Sequence, residues 1–354
     1  MIKNLSPSRA SQYKTCPLQF KFANIDKIKE PTNEVQAKGT LIHEALEKMY
    51  NLPQNQRPEL ISQEELTNEL KIIKQSVNGS GPKSMQLHDI FREIFVNNRS
   101  SDQYSELFKE IDLQKFGRDS KILLTQYLSI ENPRNVYSIE NERWVRGSLD
   151  DLNLRGILDR MDEDEDGNLI IVDYKSGKAP SAKYKEPRFF AMKLYALLIK
   201  NELGVIPKEL KLIYLQNSTI HSLTVTDEML KEAEEEILNI WKDMKNSFTE
   251  NSFPPTKNAL CENWCYYKPI CPLFNENPPN TDNLKNINEE IEILEKELEP
   301  FEMFKDINKI PESTPLMSDI DNIDELRSKK IELEDQRNEI MESIELLLRK
   351  QASS

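Results

Sequence analysis

Gly156-Ile157-Leu158-Asp159-Arg160, followed beyond a polar turn by Leu169-Ile170-Ile171-Val172-Asp173-Tyr174-Lys175-Ser176-Gly177, is the stretch on which the fold turns. Each half is a short apolar run ending in charge, and Asp166-Gly167 between them is a hairpin signal. Two adjacent strands therefore each deliver a carboxylate, Asp159 and Asp173. Side chains on a strand repeat every two residues, so Asp173 and Lys175 share a face. An aspartate and a lysine side by side at the end of the run Leu-Ile-Ile-Val are costly unless something uses them. A divalent cation on the carboxylates, with the lysine beside its bound water, is such a use. The plainer reading of a lone Asp-x-Lys is a salt bridge at a strand end; the apolar run before it and Asp159 on the neighbouring strand weigh against that.

Outward from this hairpin, residues 136–175 read as strands and residues 187–202 as a helix. Residues 210–216 and 220–226 read as a second strand pair about Asn217-Ser218-Thr219. An acidic helix follows, from Asp227 as its cap to about Lys245. Upstream, Ser6-Pro7-Ser8 starts a helix with serine as cap and proline in the first turn. Residues 33–50 form a helix whose apolar face is Val35, Leu41, Ile42, Leu46, Met49 and Tyr50. Residues 54–135 hold further helical patterns broken at Gly79-Ser80-Gly81-Pro82. The class is α/β: a mixed sheet flanked by helices.

Of 354 residues, 38% are hydrophobic and 31% charged, which allows a core and long solvated stretches. No run of about 18 apolar residues occurs and the N-terminus carries no apolar signal region, so a cytoplasmic protein off the membrane is expected. In that reducing compartment the four cysteines are ligands sooner than disulfides. The net charge is −14, but residues 282–354 hold 10 basic and 20 acidic side chains, most of the excess. Residues 173–200 carry seven basic against two acidic side chains, a local stretch able to follow a phosphate backbone.

The two quoted motifs resemble the PD-(D/E)XK (restriction-endonuclease-like) nuclease core in its RecB-type branch, where "G-x-x-D-R" on one strand precedes a strand ending "D-Y-K-(S/T)-G". The resemblance implies a deoxyribonuclease that hydrolyses phosphodiester bonds, on single strands or ends, with Mg²⁺ or Mn²⁺. By it, Asp159 and Asp173 are metal ligands, the Tyr174 carbonyl a further ligand, and Lys175 orients the attacking water. The branch's "G-x-x-x-H" matches Gly39-Thr40-Leu41-Ile42-His43 and implies that His43 is also a ligand. Its "Q-x-x-x-Y" helix is matched only at Tyr195, since Ala191 stands where glutamine is expected. Tyr195 is carried as a catalytic candidate, and Arg188 or Lys193 as a substitute contact for the lost amide.

Cys261, Cys265 and Cys271 form a close trio, and Cys16 in Cys16-Pro17-Leu18-Gln19-Phe20 lies about 245 residues earlier. Thiolates hold both iron–sulfur clusters and zinc, and spacing alone leaves both open. One distant cysteine plus a C-terminal trio resembles the four-iron four-sulfur clasp of AddB-type and CRISPR-associated RecB-type nucleases, although the first gap in the trio is one residue longer here. The resemblance thus implies a 4Fe-4S cluster, with Zn²⁺ the alternative occupant.

Leu284, Ile287, Ile291, Leu294, Leu298 and Phe301 make a coiled-coil seam. Leu326, Leu333, Ile340 and Leu347 make a second, with Lys330 and Arg337 at its complementary positions. The expected organisation is an N-terminal segment 1–53 with Cys16 and His43, a helical insertion 54–135, a nuclease core 136–250, a cysteine clasp 251–276 and an acidic hairpin 282–354. DNA is the expected partner, with a helicase or other protein reachable through that hairpin. No Walker-type phosphate loop is present, so any motor must be another chain. The alternative function is a non-catalytic module that binds DNA ends or a partner.

Overall fold

The computed structural model describes residues 4–76, 78–181, 186–302 and 320–352. Its chain divides into two units: Met1–Ser11 with Pro31–Lys245, and Gln12–Glu30 with Asn246–Ser354. The helices before the sheet are α1 (Pro7–Thr15), α2 (Pro17–Phe20), α3 (Glu34–Tyr50), α4 (Gln63–Gln75), α5 (Met85–Asn98), α6 (Ser105–Glu110) and α7 (Leu113–Tyr127). Their starts follow local chemistry. Ser6 Oγ accepts from Arg9 N at α1, Asn33 and Gln36 close a capping box at α3, and Ser62 and Glu65 close another at α4.

The sheet has five strands in the order β1-β2-β3-β4-β5: β1 (Ser138–Leu149), β2 (Leu152–Glu163), β3 (Leu169–Lys175), β4 (Glu209–Tyr214) and β5 (Thr219–Thr224). β2 and β3 are antiparallel, with Arg160 opposite Val172 and Asp162 opposite Ile170. The turn between them contains Gly167 at φ +83°, a conformation that favours glycine. β3 pairs parallel with β4, so the chain must cross over between them. Helix α8 (Phe190–Leu203) is that crossover, and Gly204 at φ +70° ends it. This makes a mixed α/β sheet flanked by helices, as the sequence predicts. Helix α9 (Asp227–Glu250) follows β5, and its first turn is held by Thr226, whose Oγ1 accepts from Met229 N. The cap is thus one residue earlier than Asp227, because the shorter β-hydroxyl at 226 reaches the free amide.

In the first unit the main core joins α3, α5 and α7 to the sheet. Leu41, Leu46, Phe91, Phe116, Leu124 and Tyr127 pack with Val172, Tyr174 and Ile213. The helices of residues 54–135 are thereby part of the packing under β3 and β4. Val172 and Tyr174 face this core, so Asp173 and Lys175 face away from it.

The second unit holds α2, the cysteine-bearing loop, α10 (Asp282–Glu302) and α11 (Ile320–Ala352). Phe22, Ile28, Tyr267, Ile270, Leu284, Ile344 and Leu348 form its apolar cluster. The loop and the acidic helices, which composition separates, therefore share one core. A buried Lys21 Nζ bonds Asp26 (2.9 Å) and Thr281 Oγ1 (2.8 Å). Helices α10 and α11 pack on each other. Lys330, polar at a seam position, reaches Glu295 at 3.4 Å. Pro311 and Pro315, which separate the two seams in the sequence, lie outside the described residues, as does the Phe301 side chain. Among the described residues no helix is long and apolar enough to cross a membrane.

Candidate active site

β2 and β3 keep their ladder as far as Arg160 and Val172, and beyond that pair side chains take over from backbone. Asp159 Oδ2 accepts from the Tyr174 backbone amide at 2.8 Å, and His43 Nδ1, from the middle of α3, lies 3.3 Å from the same oxygen. Asp173 and Lys175 meet on one face, with Nζ 2.5 Å from Oδ2. That oxygen is buried, yet no well-directed hydrogen bond reaches it. Residues from a helix and two strands thus converge, with Tyr174 contributing backbone here while its phenol points into the core.

The electrostatics pull the two carboxylates apart. Burial disfavours charge on Asp159, but the hydrogen bond and charge of His43, with the Tyr174 amide and Lys175, outweigh it and lower its pKa. Asp173 is raised, chiefly by burial, against the opposing pull of Lys175 and with the help of Asp159. Burial opposes the imidazolium of His43, but Asp159 and Asp173 more than offset it and leave its pKa raised. Lys175 is likewise raised, its desolvation exceeded by Asp173 and Asp159. Two carboxylates facing two bases in a desolvated corner form an oxygen-rich donor set of the kind Mg²⁺ and Mn²⁺ take. The buried Asp173 Oδ2, whose one close partner is the Lys175 ammonium and which no well-directed hydrogen bond reaches, fits that role. Among the described residues no three His, Cys, Asp or Glu side chains are grouped as they would be around a metal ion, and at this corner His43 and Lys175 sit on the carboxylates themselves.

Tyr195 on α8 reaches the same corner. Its ring lies so near Gly156 that a Cβ there would fall 2.4 Å from Cε1, which explains the glycine. Its hydroxyl bonds the Ile157 backbone, and burial, with Asp173 and Asp159 nearby, pushes its pKa up to about 12. Arg188 lies close enough to act on Tyr214, whose pKa also responds to Lys175 and Asp173. Ala191 supplies no polar group at the place of the missing glutamine.

Glu142 joins this site without having been singled out in the sequence. It falls opposite Asp159 in the β1–β2 register, between the pairs Asn141–Arg160 and Arg143–Leu158, and its φ is +47°. Burial, then Asp159 and Glu47, push its pKa up to about 7. The polar run Glu140-Asn141-Glu142-Arg143 hides any pattern; only the structural register shows the pairing.

Behind the carboxylates, the residues that follow them are tied together. Arg160 is buried, and its guanidinium bonds Tyr174 Oη, Glu131 (2.7 and 3.1 Å) and Asp162 (2.9 and 3.1 Å), over the face of Tyr50. The neighbour of Asp159 thereby holds the neighbour of Asp173 from the far side of the sheet.

In the second unit the four cysteines line one cavity of about 70 Å³, with Leu18, Phe22, Trp264 and Phe274 among its walls. All four are free thiols. Thr256 N lies 3.4 Å from Cys16 Sγ, and Asn258 N 3.3 Å from Cys261 Sγ. Burial, more than the other thiols, pushes the Cys265 and Cys271 pKa values up.

The family follows from the sequence match that this geometry supports. Residues 4–272 match the family model of the PD-(D/E)XK nuclease superfamily, and the chain belongs to that superfamily. No curated protein matches the chain. Among solved structures it is similar to a candidate exonuclease from Eubacterium rectale, at 11% identity and TM-score 0.41, over 74% of this chain and 87% of that one. It is also similar to the protein SSO0001, at 13% identity and TM-score 0.28, over 67% of this chain and 97% of that one. Both likenesses are too distant to carry an argument. Nucleases of this superfamily typically use Mg²⁺ or Mn²⁺.

Proposed function

We propose that this chain is a metal-dependent deoxyribonuclease of the RecB-type branch, acting on single strands or ends in DNA recombination, repair, phage replication or defence. The observation that carries the reading is the convergence of His43, Asp159, Asp173 and Lys175 at the point where β2 and β3 part. His43, Asp159, Asp173 and the Tyr174 carbonyl would hold Mg²⁺ or Mn²⁺, which supplies a polarised phosphoryl oxygen and a more acidic water when bound. Lys175, released from Asp173, would hold the attacking water and meet charge developing on the phosphate. Tyr195, with a phenol that stays protonated, would donate a hydrogen bond at the same corner. The test is digestion of end-labelled single- and double-stranded DNA with Mg²⁺ or Mn²⁺. Wild type cuts, and Asp173→Ala and Lys175→Ala do not. If all three proteins are equally inert, the non-catalytic DNA-binding alternative replaces this one.

The cysteine cavity belongs to the same proposal. Half-buried thiols whose pKa values are raised, as at Cys265 and Cys271, are poor thiolates by themselves, and a bound metal is what deprotonates such groups. Four cysteines lining one cavity are the donors that a 4Fe-4S cluster would take, with Zn²⁺ as the alternative occupant. Anaerobically purified protein should contain iron and sulfide and absorb visible light, and Cys16→Ala should lose both. Stoichiometric zinc in a colourless protein overturns the cluster. A protein partner at the acidic hairpin would have to use its outer faces, where Ile293, Ile331 and Leu346 are exposed.

A further inference from the structure

The β1–β2 ribbon has one buried face and one open face. Val145, Leu149, Leu152, Leu154 and Leu158 fill the first. On the second, Trp144 lies directly opposite Ile157, and the next pair along is Arg146 opposite Arg155. Trp144 is 54% exposed and Ile157 37%. The Arg146 guanidinium stands 5.6 Å from the centre of the Trp144 ring. Among the described residues neither arginine side chain pairs with a carboxylate, in a chain with 61 acidic residues. Like charges directly opposite each other on a sheet are destabilising, and an exposed tryptophan on an edge strand invites association. Both costs make sense if the face meets a polyanion with flat, apolar faces.

We propose that this face is a track for single-stranded nucleic acid, with a base stacked on Trp144 and Ile157 and the adjoining phosphate held between Arg146 and Arg155. The substrate class rests on the nuclease reading above; the binding itself does not. Ile157 lies two residues before Asp159, so the stacking pair is roughly 7 Å along the strand from the carboxylate, and the arginine pair roughly 13 Å. Those steps suit successive nucleotides of an extended strand leading to the corner where Tyr195 bonds the Ile157 backbone. A duplex keeps its bases stacked on each other, and a single strand offers them to an aromatic platform. Arginine contributes over the same ring by cation–π attraction. The occupant is therefore a single strand.

Fluorescence anisotropy of a labelled oligothymidylate in buffer without divalent metal tests this, with thermal melting as a check on folding. Trp144→Ala should weaken binding roughly 5- to 100-fold. Losing the phosphate contact in Arg146→Ser/Arg155→Ser should reduce the slope of log affinity against log salt by roughly 0.7. Quenching of tryptophan fluorescence by the oligonucleotide should vanish in Trp144→Phe while binding persists. Variants that melt and bind like wild type overturn the track. So does a wild-type dimer that Trp144→Ala dissociates with strand affinity unchanged, which would make this edge a contact between copies. Wild type that cuts DNA while these variants bind normally refutes the track alone. Wild type that never cuts while the variants lose binding refutes the nuclease reading and leaves the track standing.

Discussion

Replacing Arg160 with methionine removes the charge behind the site and keeps its bulk. Arg160 is 1% exposed, and its partners Glu131 and Asp162 are 15% and 8% exposed at the side chain. Truncating one member of a buried ion network leaves the others charged and desolvated, at a cost of about 3–5 kcal/mol. For a unit of this size, each kcal/mol is worth roughly 2–4 °C in Tm, so Arg160→Met should melt roughly 6–20 °C below wild type. The pH dependence gives the sign. Burial tends to raise the Glu131 pKa, but Arg160 outweighs it and leaves the value lowered. In wild type the stabilisation from Glu131 is therefore complete above the ordinary glutamate range of about 4.3 and lost as pH falls through the lowered value. In Arg160→Met the burial of Glu131 is opposed only by the hydroxyls of Tyr50 and Tyr127, so Glu131 binds its proton more readily than in wild type and the deficit shrinks as pH falls from 7 toward 5. Differential scanning calorimetry of both proteins at several pH values measures it. Because Tyr174 Oη also loses its partner, Mn²⁺ affinity by electron paramagnetic resonance should fall in the folded variant. A loss under 1 kcal/mol that is independent of pH would refute the account of the network as desolvated and mutually dependent.

Gly156→Ala places a methyl group 2.4 Å from Tyr195 Cε1. Overpacking of this kind costs about 1–3 kcal/mol in denaturant titrations, and adding Tyr195→Ala should recover most of it. His88 is buried between Ser80, Lys121 O and Thr125, and burial, then Lys121, pull its pKa down to about 3. The unfolded imidazole binds its proton near 6.5, so stability should fall by about 1.4 kcal/mol per pH unit below that, and His88→Gln should flatten the slope. Glu142→Gln removes the carboxylate opposite Asp159; isothermal titration should then show weaker Mn²⁺ binding if Glu142 supports the ligand set, and unchanged binding if it does not.

What could be read from the sequence follows how local the cause was. The β2–β3 hairpin was legible because Leu169 to Val172 is apolar and Asp166-Gly167 demands a turn. Helix α3 was legible from its apolar face, of which Leu41, Ile42, Leu46, Met49 and Tyr50 are buried. Asp173 and Lys175 meet because a strand repeats every two residues, and that needs no tertiary information. β1 is another matter. Ser138 to Leu149 has few apolar residues, and only its pairing with β2 sets Trp144 on Ile157 and Glu142 on Asp159. Arg160 is part of a motif read for its aspartate, and its network depends on Tyr50 at the end of α3 and Glu131 in the chain after α7. The shared core of the cysteine loop and the acidic tail was likewise hidden, because composition changes at Pro278-Pro279 while packing does not.

The second unit is assembled from chain made at very different times. Residues Gln12–Glu30 leave the ribosome before the whole of residues 31–245, and Asn246–Ser354 follow only after them. At translation rates of 5–20 residues per second the first piece waits roughly 10–40 s for the second. During that interval Phe22 and Ile28 have no Tyr267, Ile270 or Leu284 to bury them, and Cys16 is a solitary thiol. Most of the first unit's chain is synthesised within this gap. Order of manufacture therefore makes the cysteine cavity a late product of maturation, and a message truncated after Lys245 would yield every residue of the candidate active site with no completed thiol ring.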